Sequence, residues 1–418
     1  MPHFLIEGNR RLKGEVCVQG AKNSILSILA ATVLCSGQCI IHNCPDILDV
    51  DFSIEILKYL GGFVYREGKS IIVNMENIKR YDIPDRLMKE MRSSIIFLGA
   101  IISRLKKAQV SLPGGCQLGP RPIDFHLEAL KNMGVQIHED GVRLFCIVKE
   151  KLQGTKIVLP FPSVGATENI ILAATLASGE TILENAAREP EIEDLIRFLN
   201  LCGAKIKGAG TSKIAIKGVP KLTGAEYKII PDRIAAATYM AAGAITGGEV
   251  LVRNISRIHL NEIVKVLKMC KCGIIMSGEN LLIKAPERLT PIKKLKTAVY
   301  PGFPTDMQAL ILSMMTVAKG KSSFEENVFS DRYKYTKELL KMGAQIYVNG
   351  KNAIVEGVEQ LHAADMAATD LRGGAALVLA GLKAQGISSI RRLRHIDRGY
   401  EKLEENLSGL GAKIKRIS

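Results

Sequence analysis

The sequence predicts an α/β fold of two inside-out domains, each built from three repeats of about 70 residues. Three observations support this prediction. A segment in which a helix ends and a strand begins occurs six times, helices rich in small apolar residues occur between these segments, and short glycine-containing turns follow those helices. A helix that is apolar nearly all round is buried on every side. Each domain should therefore hold such helices inside, surrounded by sheets and outer helices.

The recurring segment is the end of an amphipathic helix, a glycine and the start of a strand. Glycine directly after a helix readily adopts φ > 0 and ends it. In the sixth copy, LKMCKCGI at 267–274, Cys270 is expected where the others have glycine. The other five copies are LKYLGGFV (57–64), LKNMGVQI (130–137), LNLCGAKI (199–206), LLKMGAQI (339–346) and LSGLGAKI (407–414).

The apolar helices are predicted to be buried and to begin at polar turns. If the repeats are equivalent, these starts converge on one region of each domain. Helix N-termini offer free N–H groups and positive potential, so a cleft there would suit a substrate that carries phosphates. The helices include RSSIIFLGAII, ENIILAATLA, RIAAATYMAAGAI, MQALILSMMTVA and RGGAALVLAGL, and the polar turns are GAKN (20–23), PSVGATEN (162–169), PDR (231–233), PTD (304–306) and ATDLR (368–372).

Charge and composition restrict the partners. With 57 basic and 42 acidic residues the net charge is +15, which attracts anions. Basic residues are dispersed, Trp is absent and aromatics make up only 5%, so the pattern speaks against nucleic-acid binding. No apolar run approaches the ~18 residues of a membrane span, and the N-terminus lacks a signal-peptide pattern. We therefore expect a cytoplasmic protein without membrane contact.

Nine cysteines, an odd number scattered along the chain, argue against a disulfide framework and for a reducing compartment. Cys35, Cys39 and Cys44, and the pair Cys270 and Cys272, could suggest metal ligands. No histidine cluster completes a four-ligand set, so no metal is expected.

The segment GGCQLGPRPID at 114–124 holds a cysteine between glycines and a Gly-Pro-Arg-Pro turn. Such a segment can move and adopt φ > 0, which suits a lid over a site. Alone, it is equally consistent with a surface turn that carries an incidental cysteine.

Five motifs taken together resemble the enolpyruvyl transferases, in order along essentially the whole chain: GAKN (20–23), PGGCQLGPRPID (113–124), PSVGAT (162–167), YPGFPTDMQA (300–309) and HIDRGYE (395–401). The resemblance implies a first domain over residues 22–229, which carries the lid, and a second over 1–21 plus 230–418. It implies transfer of the enolpyruvyl group of phosphoenolpyruvate to the 3-hydroxyl of UDP-N-acetylglucosamine, with release of phosphate from a tetrahedral adduct. This reaction begins peptidoglycan precursor synthesis, and the enzyme that catalyses it is a target of fosfomycin. No cofactor is implied, and protein partners stay unknown.

The resemblance also implies roles for individual residues. Cys116 would be the general acid, and the resemblance therefore speaks against an incidental cysteine. Asp306 would be the base and a sugar ligand. Lys22, Arg121 and Arg398 would bind phosphoenolpyruvate, and Arg92 and Arg372 would support them. Asn23 would contact the acetamido group, and Val328 and Phe329 would line the sugar pocket. The uridine-diphosphate segment would comprise Arg121, Pro122, Ile123, Asp124, Ser163, Val164 and Gly165.

Some alternatives stay open. Asp306 could be only an N-cap, but we expect Thr305 to cap its helix and Asp306 to face the cleft. Phe161-Pro162 stands where some relatives carry a lysine, and Ala235 where glutamate is frequent. The rival functions are enolpyruvyl transfer to shikimate 3-phosphate and a catalytically silent paralogue that senses a UDP-sugar. The cysteine-bearing lid speaks against the first, and intact Cys116, Asp306 and Arg398 against the second.

Overall fold

The computed structural model describes residues 2–114 and 123–417. They form two compact units. The N-terminal unit contains residues 20–114 and 123–230, and the C-terminal unit contains 2–19 and 231–417. The predicted boundaries, at 21/22 and 229/230, lie close to these divisions.

The chain begins with two strands of the C-terminal unit, β1 (His3–Glu7) and β2 (Lys13–Cys17). The N-terminal unit follows. Its helices are α1 (Lys22–Thr32), α2 (Leu48–Tyr59), α3 (Asp85–Glu90), α4 (Phe97–Leu105), α5 (Asp124–Asn132), α6 (Val164–Thr175) and α7 (Pro190–Leu201), with a 3₁₀ turn at Arg92–Ile96. Its strands are β3 (Cys35–Ser36), β4 (Gln38–His42), β5 (Phe63–Glu67), β6 (Ser70–Asn74), β7 (Lys107–Ser111), β8 (Gln136–Asp140), β9 (Arg143–Ile147), β10 (Lys156–Val158), β11 (Glu180–Glu184), β12 (Lys205–Lys207), β13 (Lys213–Lys217), β14 (Leu222–Thr223) and β15 (Glu226–Lys228).

The C-terminal unit continues after residue 230. Its helices are α8 (Arg233–Ile245), α9 (Asn261–Met269), α10 (Thr305–Met315), α11 (Thr336–Leu340), α12 (Leu371–Lys383), α13 (Arg394–Asp397) and α14 (Leu403–Gly409), with 3₁₀ turns at Arg257–Leu260 and Arg332–Tyr335. Its remaining strands are β16 (Glu249–Arg253), β17 (Gly273–Ser277), β18 (Asn280–Lys284), β19 (Leu295–Lys296), β20 (Lys321–Glu325), β21 (Gln345–Asn349), β22 (Asn352–Glu356), β23 (Asp365–Ala367), β24 (Ile387–Arg391) and β25 (Lys413–Ile417).

One sheet pattern recurs in both units: an edge strand parallel to its neighbour, followed by two antiparallel pairings. The C-terminal unit has the orders β2-β16-β18-β17, β19-β20-β22-β21 and β23-β24-β1-β25. The N-terminal unit has β10-β11-β13-β12 and β15-β4-β6-β5. In its third sheet, β7-β9-β8, a parallel bridge from Asp82 to Gln109 takes the place of the edge strand.

The helices predicted to be buried form the centre of each unit. In the C-terminal unit α8, α10 and α12 pack on one another, and every residue of α8 is buried. In the N-terminal unit α4 packs on both α1 and α6. A parallel strand pair requires a crossover, and α6, α10 and α12 are the crossovers between their parallel strands. Each unit therefore has its own hydrophobic core.

The outer helices end at a glycine, as predicted, and these glycines have φ between 84° and 104°; they are Gly61, Gly134, Gly203, Gly343 and Gly411. In the sixth copy, the expectation for Cys270 is wrong. Cys270 is a buried residue with φ −75°, and the next residue, Lys271, has φ 67°. Lysine therefore occupies the left-handed position that glycine occupies elsewhere.

Across the described ranges, no helix has both the length and the apolar character needed to cross a membrane.

Candidate active site

Lys22 and Asn23 lie in the first turn of α1, a helix that is buried almost throughout. The Lys22 Nζ atom is 2.8 Å from Oδ2 of Asp49, which is 1% exposed and lies in α2. A buried ammonium needs such a partner because desolvation is costly. No side chain of the described residues caps α1. Its first-turn amides therefore form a positively polarised end, and the Lys22–Asp49 ion pair lies at the same end.

Ser163 precedes α6 and caps it, because its Oγ atom accepts a hydrogen bond from the amide of Ala166 at 3.4 Å. Val164 and Gly165 follow in the first turn. A Cβ atom on Gly165 would lie only 3.2 Å from Cε1 of His126. Glycine therefore lets the start of α6 approach the buried imidazole.

His126, on α5, links this helix start to Arg92. Its Nδ1 atom lies 2.9 Å from Nδ2 of Asn169, which also donates to the Ile95 carbonyl. Nδ1 is thus the acceptor, and Nε2 carries the proton. Burial, aided by the positive charge of Arg92, lowers the pKa of His126 to about 4. His126 is therefore a neutral donor beside Gly165.

Ile123 is buried and precedes α5, and Asp124 is the exposed first residue of that helix. The other predicted residues of the lid and the uridine-diphosphate segment are Cys116, Arg121 and Pro122. They lie outside the described residues, so their predicted roles stay predictions.

Asp306 lies in the first turn of α10. Its Oδ1 atom is 3.2 Å from Nη2 of Arg332 and 3.6 Å from Nε of Arg372. Both guanidinium groups are almost completely buried, whereas Asp306 is about one-third exposed. The Asp306 carboxylate is therefore partly exposed to solvent and is held on its inner side by two buried guanidinium groups.

The start of α10 lacks the predicted cap. Pro304 is the N-cap residue, and no described side chain caps the helix, so the expectation that Thr305 does so is wrong. The Thr305 hydroxyl donates instead to the buried carboxylate of Glu326 at 3.0 Å and accepts from Nε of Arg332. Asp306 does not cap either, so the alternative interpretation of Asp306 as an N-cap is wrong.

Glu326 also holds the predicted sugar-pocket residues beside α10. Its Oε1 atom accepts hydrogen bonds from the amides of Val328 and Phe329 at 2.9 and 3.1 Å. The Phe329 ring lies 5.0 Å from the guanidinium carbon of Arg332. These contacts bring Val328 and Phe329 to the same end of α10 as Asp306.

Arg372 is the second residue of α12, whose N-cap residue Asp370 accepts hydrogen bonds from the amides of Arg372 and Gly373. Burial opposes its charge, but Asp306 and Tyr400 outweigh this effect and raise the pKa of Arg372 above its ordinary value. Arg398 directly follows α13 and is half-buried. Burial, followed by the charge of Arg398, lowers the pKa of the nearby His395.

Several polar residues of these sites were missed by sequence reasoning: Asp49, His126, Asn169, Glu326, Arg332 and Asp370. An isolated polar residue in an apolar segment was the available signal, as for Asn169 within ENIILAAT. The two departures have different surroundings, since Phe161 is 40% exposed and Ala235 is buried in α8.

Comparisons with known proteins show the family to which the chain belongs. The family model for EPSP synthase (3-phosphoshikimate 1-carboxyvinyltransferase) matches residues 6–407. A relative from Caldanaerobacter subterraneus subsp. tengcongensis, UDP-N-acetylglucosamine 1-carboxyvinyltransferase 2, is 50% identical, with 100% of both chains covered. A relative from Finegoldia magna, named UDP-N-acetylglucosamine 1-carboxyvinyltransferase, is 45% identical over 99% of this chain and 98% of its own.

Among solved structures, the enolpyruvyl transferase NikO from Streptomyces tendae is similar with a TM-score of 0.91 and 25% identity, covering 100% of this chain and 99% of that one. This similarity confirms the predicted fold class.

Proposed function

The chain belongs to the EPSP synthase family of enolpyruvyl transferases, and from this membership we propose that it transfers the enolpyruvyl group of phosphoenolpyruvate to the 3-hydroxyl of UDP-N-acetylglucosamine. The relatives that carry this activity in their names match the chain over its full length. The geometric observation that carries the proposal concerns Asp306. Its carboxylate is partly exposed, does not cap α10 and is held by two buried arginines.

The reaction requires three kinds of group. The methylene carbon of phosphoenolpyruvate gains a proton, the neighbouring carbon is attacked by the sugar hydroxyl as that hydroxyl loses its proton, and phosphate then leaves from the tetrahedral adduct. An acid, a base and several cations are needed. The residues assigned by the resemblance would supply all three.

In the N-terminal unit, the polarised start of α1 with Lys22 would bind phosphate. Asn23 beside it would form a hydrogen bond with the acetamido group. The capped start of α6 would bind the diphosphate through its amides. Arg92 would add positive charge there. Neutral His126 would support the start of α6 without adding a charge of its own. Ile123 and Asp124 would continue the uridine segment.

In the C-terminal unit, Asp306 would accept the hydroxyl proton, because an ionised carboxylate within reach of that hydroxyl can act as a general base. Arg332 and Arg372 would orient it, since guanidinium groups bind carboxylates in fixed geometry. Val328 and Phe329 would line the sugar. Arg398 and Arg121 would bind phosphoenolpyruvate, and Cys116 would deliver the proton.

We further propose that the enzyme acts in the cytoplasm and supplies peptidoglycan precursors. The cysteines in the described part of the chain are free thiols, which a reducing compartment would preserve.

The deciding experiment measures phosphate release from phosphoenolpyruvate with two acceptors in parallel. Release is expected with UDP-N-acetylglucosamine and to persist with excess chelator, because organic cations complete the site. Turnover with shikimate 3-phosphate alone would favour the function in the family description instead. Binding of UDP-N-acetylglucosamine without any phosphate release would favour a silent sensor.

A further inference from the structure

Three cysteines of the N-terminal unit bring their sulfur atoms within 4.8 Å of one another. Cys35 lies in β3, Cys39 lies in β4, and Cys202 directly follows α7. All three are free thiols with at most 1% of their surface exposed. We call them the three-cysteine cluster.

The backbone holds the cluster together. The turn at Gly37, with φ 97°, joins β3 to β4 and keeps Cys35 and Cys39 close. Cys35 pairs with Leu222 in the parallel ladder of β3 and β14. The next residue of β14, Thr223, donates from its amide and its hydroxyl to the Cys202 carbonyl at 2.9 and 3.2 Å. The positions of the sulfurs therefore follow from three fixed segments.

We propose that the three-cysteine cluster is a binding site for a soft trivalent ion that takes three sulfur ligands, with arsenic(III) as its best match. In the binding step three S–H bonds and three As–OH bonds of arsenous acid break, three As–S bonds form, and three water molecules leave. The step involves no oxidation or reduction. Nothing in it depends on the proposed enzymatic function.

The number of ligands and their burial select this class of ion. Structural zinc takes four ligands in a tetrahedron, and the cluster supplies three among the described residues. Three thiolates around Zn²⁺ would also leave a net charge of −1 in a buried place, which is costly. Three thiolates around arsenic(III) give a neutral group, so the apolar surroundings favour it.

The distances are compatible with a bound ion. An ion with three sulfur ligands and a lone pair is pyramidal, so sulfurs bonded at ~2.3 Å are ~3.5 Å apart. The sulfurs of the cluster, within 4.8 Å, therefore need to approach by about 1.3 Å at most. Rotation about the cysteine side-chain bonds can supply a movement of this size.

Access requires only a local opening. Gln38, Leu201 and Gly203, which are direct chain neighbours of the cluster, are exposed, so the segments that carry the cysteines reach the surface. The ladder of β3 and β14 has two residues in each strand. Short ladders near the surface open at low free energy compared with global unfolding.

The test uses reduced full-length protein and arsenite as the probe. Arsenic per chain is counted after removal of free arsenite, and X-ray absorption counts the sulfur neighbours of arsenic. Cys35→Ala, Cys39→Ala and Cys202→Ala are the test variants. The double variant Cys270→Ala and Cys272→Ala is the control, because it removes two buried thiols of the other unit.

We expect one arsenic with three sulfur neighbours in the wild type. Each test variant should bind at least ~100-fold more weakly, because one of three linked donors is lost, while the control keeps wild-type affinity. A coordination of two sulfurs and one oxygen would overturn the proposal, as would unchanged affinity in Cys202→Ala. Preferential binding of Zn²⁺ would overturn the assignment to a trivalent ion.

The wild-type coordination number decides the question even if a variant fails to fold. Arsenite should also raise the thermal midpoint of the wild type, because binding to the folded form stabilises it. The same arsenite concentration should leave the midpoint of Cys202→Ser unchanged.

Discussion

Asp306 is held by Arg332 and Arg372, which lie outside its own helix, and it does not cap that helix. A substitution at Asp306 therefore tests its chemistry without removing an N-cap. Asp306→Asn should lower kcat by at least ~10², since the amide cannot accept a proton in the transition state. Folding should survive with lower stability: Asp306 does not cap α10 and the amide oxygen can still accept from Arg332, but the buried guanidinium of Arg372 loses a neighbouring negative charge. Steady-state kinetics with a thermal melt would check both points. Asp331→Asn, which removes an exposed carboxylate paired with Lys334, is the control. Wild-type kcat in Asp306→Asn would reject the base.

Cys116 lies outside the described residues, and the resemblance alone gives it a role. Fosfomycin should alkylate it irreversibly, because a thiolate is a good nucleophile. Cys116→Asp should escape inactivation yet keep substantial turnover, whereas Cys116→Ala should lose ~10² or more because it has no proton to deliver. Mass spectrometry and saturating kinetics on folded variants would measure both effects. Equally inactive Asp and Ala variants would mean that residue 116 does not supply a proton.

His126 should make the N-terminal unit sensitive to acid. Its pKa is lowered to about 4 in the folded chain, against an ordinary value near 6.5, so the unfolded state binds the extra proton first. Stability is therefore lost as pH falls through this window, by roughly 2 kcal/mol between pH 7 and pH 5.

Hydrogen exchange of α5 and α6 amides at the two pH values would measure this loss. His126→Gln should remove most of it, and His362→Gln, at an exposed position in the other unit, should not. An unchanged pH dependence in His126→Gln would assign the sensitivity to other groups.

Also at the scale of residues, the sequence predicted the position of a residue in its helix better than the side chains that the residue contacts. The PTD motif located Asp306 and its helix, but neither Arg332 nor Glu326 could be paired with it. Each lies about 20 or more residues away and reaches α10 only through the fold. Local patterns carry no information on such contacts.

At the scale of elements, Lys271 shows the cost of a non-glycine helix end. Lys271→Gly should stabilise the C-terminal unit by about 0.5–1 kcal/mol, because a left-handed conformation strains residues that have a Cβ atom. The chain has no Trp, so native-state hydrogen exchange of α9 is the suitable measurement.

Gly203→Ala is the mirror experiment in the other unit. No described atom lies within 4 Å of the added Cβ, so its expected loss of ~1 kcal/mol would report backbone strain alone. A destabilised Lys271→Gly would show that the lysine side chain contributes more than its backbone costs.

Helices were the most predictable elements. RIAAATYMAAGAI coincides with α8, because an unbroken run of small apolar residues has one stable environment. RSSIIFLGAII instead divides into a 3₁₀ turn and α4. The two-residue strands β3 and β14 escaped prediction, because their pairing joins residues far apart in the chain.

At the scale of the whole molecule, the net charge of +15 should act on the anionic substrates before they bind. Mobile ions screen this attraction, with a Debye length of about 10 Å at 0.1 M and about 3 Å at 1 M. We therefore expect kcat/KM to fall roughly tenfold or more between 0.05 and 0.5 M salt, while kcat at saturation changes little, because steering affects encounter and not chemistry.

An equal osmolarity of sucrose, which screens no charge, controls for solvent effects. The exposed lysines Lys205, Lys207 and Lys217 offer a matched variant, since none is a proposed substrate residue. Changing all three to Gln lowers the net charge from +15 to +12, as 54 minus 42. The variant should show a smaller salt dependence with unchanged kcat. If instead kcat/KM is independent of salt in both proteins, long-range attraction by the net positive charge has no part in binding, and only the arginines proposed to contact the substrate remain as a source of attraction.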